Sequence, residues 1–299
     1  MAYMVSHRTG MVLVVLAGLI WSLNGLVLRW IGDAGTWQVL FYRSLGMVPV
    51  LFLWTAARSG GHPFRLIAST GRAGLVGGFG LVFAFAGAIY SMQATTIANA
   101  VFLFAAAPLI TAVMARPILG EAVRPATWAA LVVAVIGIFL MVREGLALGA
   151  GWGNLAALAS AAGFSAFTLT LRHARLADMV PAVFYGATLS LLVAAGVIAL
   201  RGESLALPPH AWALSVLMGV FILCGGMVLF TIGARAIPAA EAGLLALVEV
   251  MLAPVWVWLF WGEATSRDTL IGGAVLLAAI ALNTIGPAAR PSLAAPEEP

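Results

Sequence analysis

The sequence predicts an all-α membrane protein, with ten transmembrane helices arranged as two inverted five-helix repeats. Three observations predict it. Of 299 residues, 63% are hydrophobic and 9% charged, against ~25% charged and ~45–50% apolar in a soluble domain. The mean hydropathy is +1.08, and a chain so poor in charge cannot coat a water-facing surface. Apolar runs of about 20 residues, enough to span a ~30 Å hydrocarbon core, recur to the end of the chain. The second half also echoes the first at a near-constant offset, the signature of an internal repeat.

In chain order the spans cover about 11–31, 37–57, 73–92, 98–116, 125–143, 151–171, 180–200, 211–232, 239–261 and 268–286. The first imitates a signal peptide, with His7 and Arg8 ahead of an apolar run from Met11 to Ile20. That run continues through Trp21, Ser22 and Asn24 to Leu28 without a small-residue cleavage site, which fits an uncleaved span. The breaks carry turn residues, among them Gly32-Asp33, Gly60-Gly61-His62-Pro63, Ile237-Pro238 and the 262–268 stretch. Residues 287–299 are Pro- and Ala-rich and read as a disordered cytoplasmic tail. A β-barrel is excluded by run length, since its strands would be ~9–11 alternating residues.

Ten spans put both termini on one side. With the N-terminus inside, the outer loops hold Arg29, Arg143, Arg201 and Arg267, Arg43 lies within a span, and the other ten arginines are inside. The positive-inside rule then places both termini in the cytoplasm of a bacterial inner membrane. The repeat aligns Phe41-Tyr42-Arg43 with Phe184-Tyr185-Gly186 (185 − 42 = 143) and Trp21-Ser22 with Phe164-Ser165 (164 − 21 = 143). It aligns Gly120-Glu121 with Gly262-Glu263 (263 − 121 = 142). The units are 8–144 and 150–286, and because five is odd the second crosses upside down. Charge agrees: the loop after span 2 carries Arg58, Arg65 and Arg72, its counterpart after span 7 only Arg201. Inverted repeats of this kind build transporters, with the substrate site near the midplane where the repeats meet.

Chemistry is expected where polarity interrupts the spans. Glu249 lies near the middle of span 9, where an ionisable group costs at least ~2.5–3.5 kcal/mol and is by default a functional candidate. It can carry a coupling proton or hold a substrate ammonium; the inert alternative is a protonated acid hydrogen-bonded inside the bundle. Arg43 sits about 9 Å deep in span 2 at ~1.5 Å per residue, placed to bind a substrate carboxylate, to pair with Glu249 or to anchor one helix on another. Asn24 and Asn99 are uncharged polar residues within spans 1 and 4. Each alone suits an interhelical hydrogen bond of ~0.6 kcal/mol; facing a cavity, they would orient a substrate. Trp21, Tyr42, Tyr90, Phe102, Phe164, Tyr185 and Trp256 are candidates to wall an apolar pocket or to pack the core. Glu121 and Glu263 end spans 4 and 9, where each is expected to cap the helix that follows.

Several function classes fall away. Without a single lysine there is no GxxxxGK[ST] phosphate loop, so ATP hydrolysis is not expected. One cysteine, Cys224, permits no intrachain disulfide or thiolate cluster, and the four histidines lack metal-ligand spacing. The net +4 is spread over short loops, which excludes a nucleic-acid footprint. No cofactor or metal is expected, and the partners are a small-molecule substrate and membrane lipid.

Five plus five spans, each half closing its fourth span with Gly-Glu, resemble the EamA branch of the drug/metabolite transporter superfamily. The run Leu247-Val-Glu-Val-Met-Leu-Ala-Pro-Val-Trp-Val-Trp258 looks more specifically like the YddG-type amino-acid exporters. The resemblance covers about residues 8–286 and implies a secondary transporter that exports a small metabolite, amino acids first, by alternating access. Ala107 stands where the second half has Glu249, so the two halves depart from strict symmetry. A sugar-phosphate or nucleotide-sugar carrier is disfavoured by a lone midplane cation. An intramembrane enzyme is disfavoured by the lack of a nucleophile–base pair. A membrane scaffold is the third alternative.

Overall fold

In hydrocarbon each backbone N–H and C=O must find its partner within the protein, so the apolar runs fold as helices. The computed structural model describes residues 6–120, 125–147, 150–174, 180–234, 236, 242 and 245–285; none of these is in a strand. Among them, seven helical stretches are long and apolar enough to cross a membrane: His7–Ile31, Thr36–Arg58, Gly71–Ala94, Ile97–Leu119, Gly151–His173, Val180–Arg201 and Pro209–Gly233. Two shorter apolar helices are Trp128–Arg143 and Val248–Trp261. The 287–299 tail and Glu121 lie outside the described residues.

Four of the runs expected as single helices are interrupted. The first divides into α1 (His7–Ser22) and α2 (Asn24–Ile31) at Leu23. Ser6 caps α1 by accepting the Thr9 N–H. At the break Ser22 Oγ donates to Leu19 O at 2.7 Å, a side-chain bond that competes with the helix ladder and bends it. After α3 (Thr36–Arg58), a short α4 (Pro63–Ser69) occupies a stretch expected as loop, started by a proline at its first position. Next comes α5 (Gly71–Ala94). The fourth run divides into α6 (Ile97–Phe104) and α7 (Ala107–Leu119); Pro108, with no N–H to give to the Phe104 carbonyl, enforces the break. Then follow α8 (Pro125–Ala147), α9 (Gly151–His173), α10 (Val180–Arg201) and α11 (Pro209–Leu217). A π-helical stretch, Met218–Gly225, joins α11 to α12 (Gly226–Gly233). Past a turn at Leu247 come α13 (Val248–Trp261) and α14 (Arg267–Ile285). The turns at Ala105 and Leu247 lie 142 positions apart (247 − 105 = 142).

The helices meet in a defined set of pairs: α5 on α9, α3 on α10, α5 on α10, α8 on α14 and α1 on α12. Without a hydrophobic drive between helices in lipid, such pairs close by bringing backbones together over small residues. A Cβ on Gly80 would lie 2.7 Å from Gly163 O, and one on Gly163 2.6 Å from Gly80 O. Gly137 and Gly272 face each other in the same way across α8 and α14.

Glu263 corrects one expectation. It does not cap the helix that follows it. Its Oε1 accepts from Ile97 N, the first residue of α6, at 2.7 Å, and its Oε2 accepts from Arg29 Nε at 2.8 Å. Arg29 also donates to Thr95 O at 3.0 Å. One carboxylate thus satisfies an orphan helix N–H and ties the end of α2 to the start of α6 and the end of α13.

Candidate functional site

The interruptions surround a cavity of about 270 Å³ lined from both halves of the chain. The α1–α2 break presents Trp21 and Asn24, α3 presents Arg43, α9 presents Phe164, and the first turn of α13 presents Glu249. These are five of the eleven residues expected at a site. A helix start favours negative charge, which suits the position of Glu249. Much of the remaining wall is apolar, from Leu81 and Phe85 on α5 to Phe230 on α12. Glycines bring the polar residues in. Gly226 is so close to Trp21 that a Cβ there would overlap the indole, and Gly219 of the π-helical stretch packs on the Arg43 carbonyl.

Arg43 is 1% exposed. Its Cζ lies 4.7 Å from the centre of the Phe85 ring, a cation–π arrangement. Its Nε and Nη2 have no hydrogen-bond partner. Arg43 and Glu249 share the cavity wall without forming an ion pair; the ion pairs among the described residues are Arg29–Glu263, Arg143–Asp268 and Arg201–Glu203. The Asn24 carbonyl oxygen is likewise buried and unpartnered, while its amide approaches Met92 Sδ at 3.9 Å.

The other six candidates lie elsewhere. Asn99 is buried and donates to Asn154 Oδ1 and to Thr95 Oγ1, joining α6 to α9. Tyr42 donates to Leu205 O at 2.8 Å, and Trp256 Nε1 donates to Ser22 Oγ at 2.8 Å beside the α1–α2 break. Phe102 packs against Gly273, and Tyr185 against Gly74 and Gly78. Tyr90 lines a second hollow of about 410 Å³ with Trp37, Arg201 and Glu203. Sequence reasoning passed over Phe85, Ser91 and Thr231, which line the central cavity. Ser91, whose Oγ is buried without a partner, carried the same signal as Asn24, a polar residue within an apolar run.

A cavity between broken helices, lined from both halves, is the arrangement found in secondary transporters. The sequence pattern of EamA-like transporters matches residues 8–143 and again 151–285. The chain belongs to the EamA-like transporter family. It is similar to the pseudopaline exporter CntI of Pseudomonas aeruginosa, in strains UCBPP-PA14 and PAO1. The identity is 27% over 293 residues, covering 92% of this chain and 96% of the relative. An uncharacterized transporter of Archaeoglobus fulgidus is 26% identical over 194 residues, 64% of this chain and 68% of that one. A solved crystal structure of a protein superposes with a TM-score of 0.64 at 20% identity, covering 93% of this chain and 98% of that one, which is a likeness of fold. As an EamA-like protein the chain is a membrane transporter, and its relatives are transporters rather than enzymes.

Proposed function

We propose that this EamA-like protein exports a small organic metabolite, an amino acid, across the bacterial inner membrane by alternating access. Its ten spans form two inverted repeats, 8–144 and 150–286, with both termini in the cytoplasm. The observation that carries the reading is the cavity itself, walled by α1–α3, α5, α6, α9, α10, the π-helical stretch, α12 and α13 and holding Arg43, Asn24 and Glu249. Repeat symmetry draws support from helix pairs that cross between the halves: α1 on α12 corresponds to α9 on α5, and α3 on the π-helical stretch to α10 on α5. The turns at Ala105 and Leu247, one repeat apart, support it further. A lone guanidinium on the cavity wall disfavours a dianionic phosphate as cargo. CntI, a relative, exports pseudopaline; an amino acid for this chain follows from the charges on its own wall. Glu249 carries the coupling proton.

Proteoliposomes loaded with a panel of amino acids test the function. Faster efflux of at least one of them than from protein-free vesicles is expected, with rate set by the proton gradient; no efflux of any would overturn it. Topology has its own test. The native Cys224 is buried, so cysteines introduced at 58–72 and 172–178 are expected to resist an impermeant thiol reagent in intact cells. Those introduced at 145–149 and 202–207 are expected to react. Labelling of the first group from outside would refute the inverted arrangement.

A further inference from the structure

Three of the helix pieces beside the cavity form a unit of their own. α2 follows the Leu23 break, α6 precedes the Ala105 turn and α13 follows the Leu247 turn. Each lends residues to the cavity wall, Asn24 from α2, Ala100 from α6 and Val250 from α13, and α13 packs on both α2 and α6. Their far ends converge on Glu263. Its Oε1 accepts from Ile97 N at 2.7 Å, and its Oε2 lies 2.8 Å from both Nε and Nη2 of Arg29. Glu263 belongs to the second repeat, Arg29 and Ile97 to the first, so both ties cross between the halves. Capping α6 requires only the Ile97 N–H; the bond to a guanidinium on α2 links helices rather than finishing one. Two further side-chain ties cross the halves at the same end, Gln38 Nε2 to Ser204 O at 2.6 Å and Tyr42 OH to Leu205 O at 2.8 Å.

The position suits a closure. Arg29 lies five residues beyond Asn24 (29 − 24 = 5) and Ile97 three before Ala100 (100 − 97 = 3). At ~1.5 Å per residue the contacts sit about 4–8 Å past the cavity wall. Neither Arg29 nor Glu263 lines the cavity itself. Their side chains are 20% and 17% exposed, so water can reach each charge when the pair parts. An ion pair in that position opens without leaving a buried, uncompensated charge. We infer that Arg29 and Glu263 form the outer gate of the transport cycle, holding α2, α6 and α13 together over the cavity, and that cargo leaves when Glu263 releases Arg29 and the start of α6. The inference rests on the transport reading and its topology, which puts this end outside. Both are positioning residues, acting through the helices they hold and not by touching cargo.

Ala88 lines the cavity on α5. In the full chain with Cys224→Ala, Ala88→Cys reports access to the cavity. Its labelling by an impermeant thiol reagent is timed from outside in right-side-out vesicles and from inside in inverted ones. Glu263→Gln, whose amide oxygen still accepts the Ile97 N–H, and Arg29→Gln are each expected to speed labelling from outside about tenfold, the loss of one charge-assisted hydrogen bond. The double variant is expected to add little to either single one, because the two residues make one bond. Arg29→Lys, which keeps the charge, is expected to restore part of the slow rate. Melting temperature is read on the same purified variants, and Arg29→Gln with Arg29→Lys decides the matter if Glu263→Gln does not accumulate. A fall in melting temperature with the outside rate unchanged makes the pair structural and overturns the inference, as does faster labelling from inside alone. Flux in liposomes separates the gate from the transport reading. Faster outside labelling in the variants without amino-acid flux in the wild type leaves the gate standing and removes amino-acid transport, whereas flux with unchanged labelling does the reverse.

Discussion

Arg43→Leu is expected to abolish amino-acid transport while leaving the protein as stable as the wild type or more so. The guanidinium is 1% exposed with two N–H groups unpartnered. Each buried donor left unmade costs about 1–3 kcal/mol, and the Phe85 contact returns ~2 kcal/mol at a desolvated site. The folded protein without cargo is therefore strained at this position, and replacing an unpaired buried charge by an apolar side chain of similar volume is neutral or stabilising. In the loaded protein the balance reverses. Two charge-assisted hydrogen bonds at ~1.5–3 kcal/mol each amount to a loss of at least ~100-fold in apparent affinity. Melting temperature and flux of the same purified variant are the measurements. A fall in melting temperature with equal loss of every substrate would make Arg43 a packing residue instead.

Glu249→Gln is expected to stop proton-driven accumulation while substrate exchange persists at saturating concentration. The amide keeps the shape and one acceptor oxygen for the ammonium, so exchange survives with weaker apparent affinity. It cannot take and release a proton. With the native acid, a proton and a substrate ammonium compete for one carboxylate, and that competition links outward cargo to inward protons. Counterflow and pH-driven transport measured side by side in the same liposomes separate the two. Unchanged pH-driven accumulation in Glu249→Gln would remove this residue from coupling.

How far these residues were legible in the sequence depends on what else explains them. A charge or amide in the middle of a span has few cheap explanations, and Glu249, Arg43 and Asn24 do meet at the cavity. Asn99 had the same signature, yet its amide is used by Asn154 and Thr95; a polar partner 55 positions away leaves no trace in a local pattern. Aromatic rings were harder still. Tyr185 packs on α5, Trp256 ties α13 to α1 and Tyr42 holds the 202–208 connection, while Phe85, one of 15 phenylalanines, covers the guanidinium. Rings serve packing, interfaces and ligands equally well, so their spacing does not choose.

The membrane helices themselves followed from composition and run length, because hydrocarbon permits little else. Their interruptions did not. Pro108 explains the α6–α7 break, yet Pro49, Pro117 and Pro254 lie inside helices, so a proline alone did not mark it, and the α1–α2 break rests on a serine hydroxyl bonding back to Leu19, an ordinary residue in an ordinary run. Glu263 shows the same limit. Its helix-capping chemistry was readable, and its partner, the α6 start 166 positions away, was set by the tertiary fold.

In the proposed transporter a cavity lined from both repeats carries an amino acid across the membrane by way of Arg43. Counterflow of labelled L-phenylalanine tests it most directly, in liposomes preloaded with the unlabelled amino acid, wild type beside Arg43→Leu. Exchange through the cavity gives a transient internal overshoot of label in the wild type and none in a folded Arg43→Leu protein. An overshoot of equal size in both, or none in the wild type with any apolar amino acid, would contradict it.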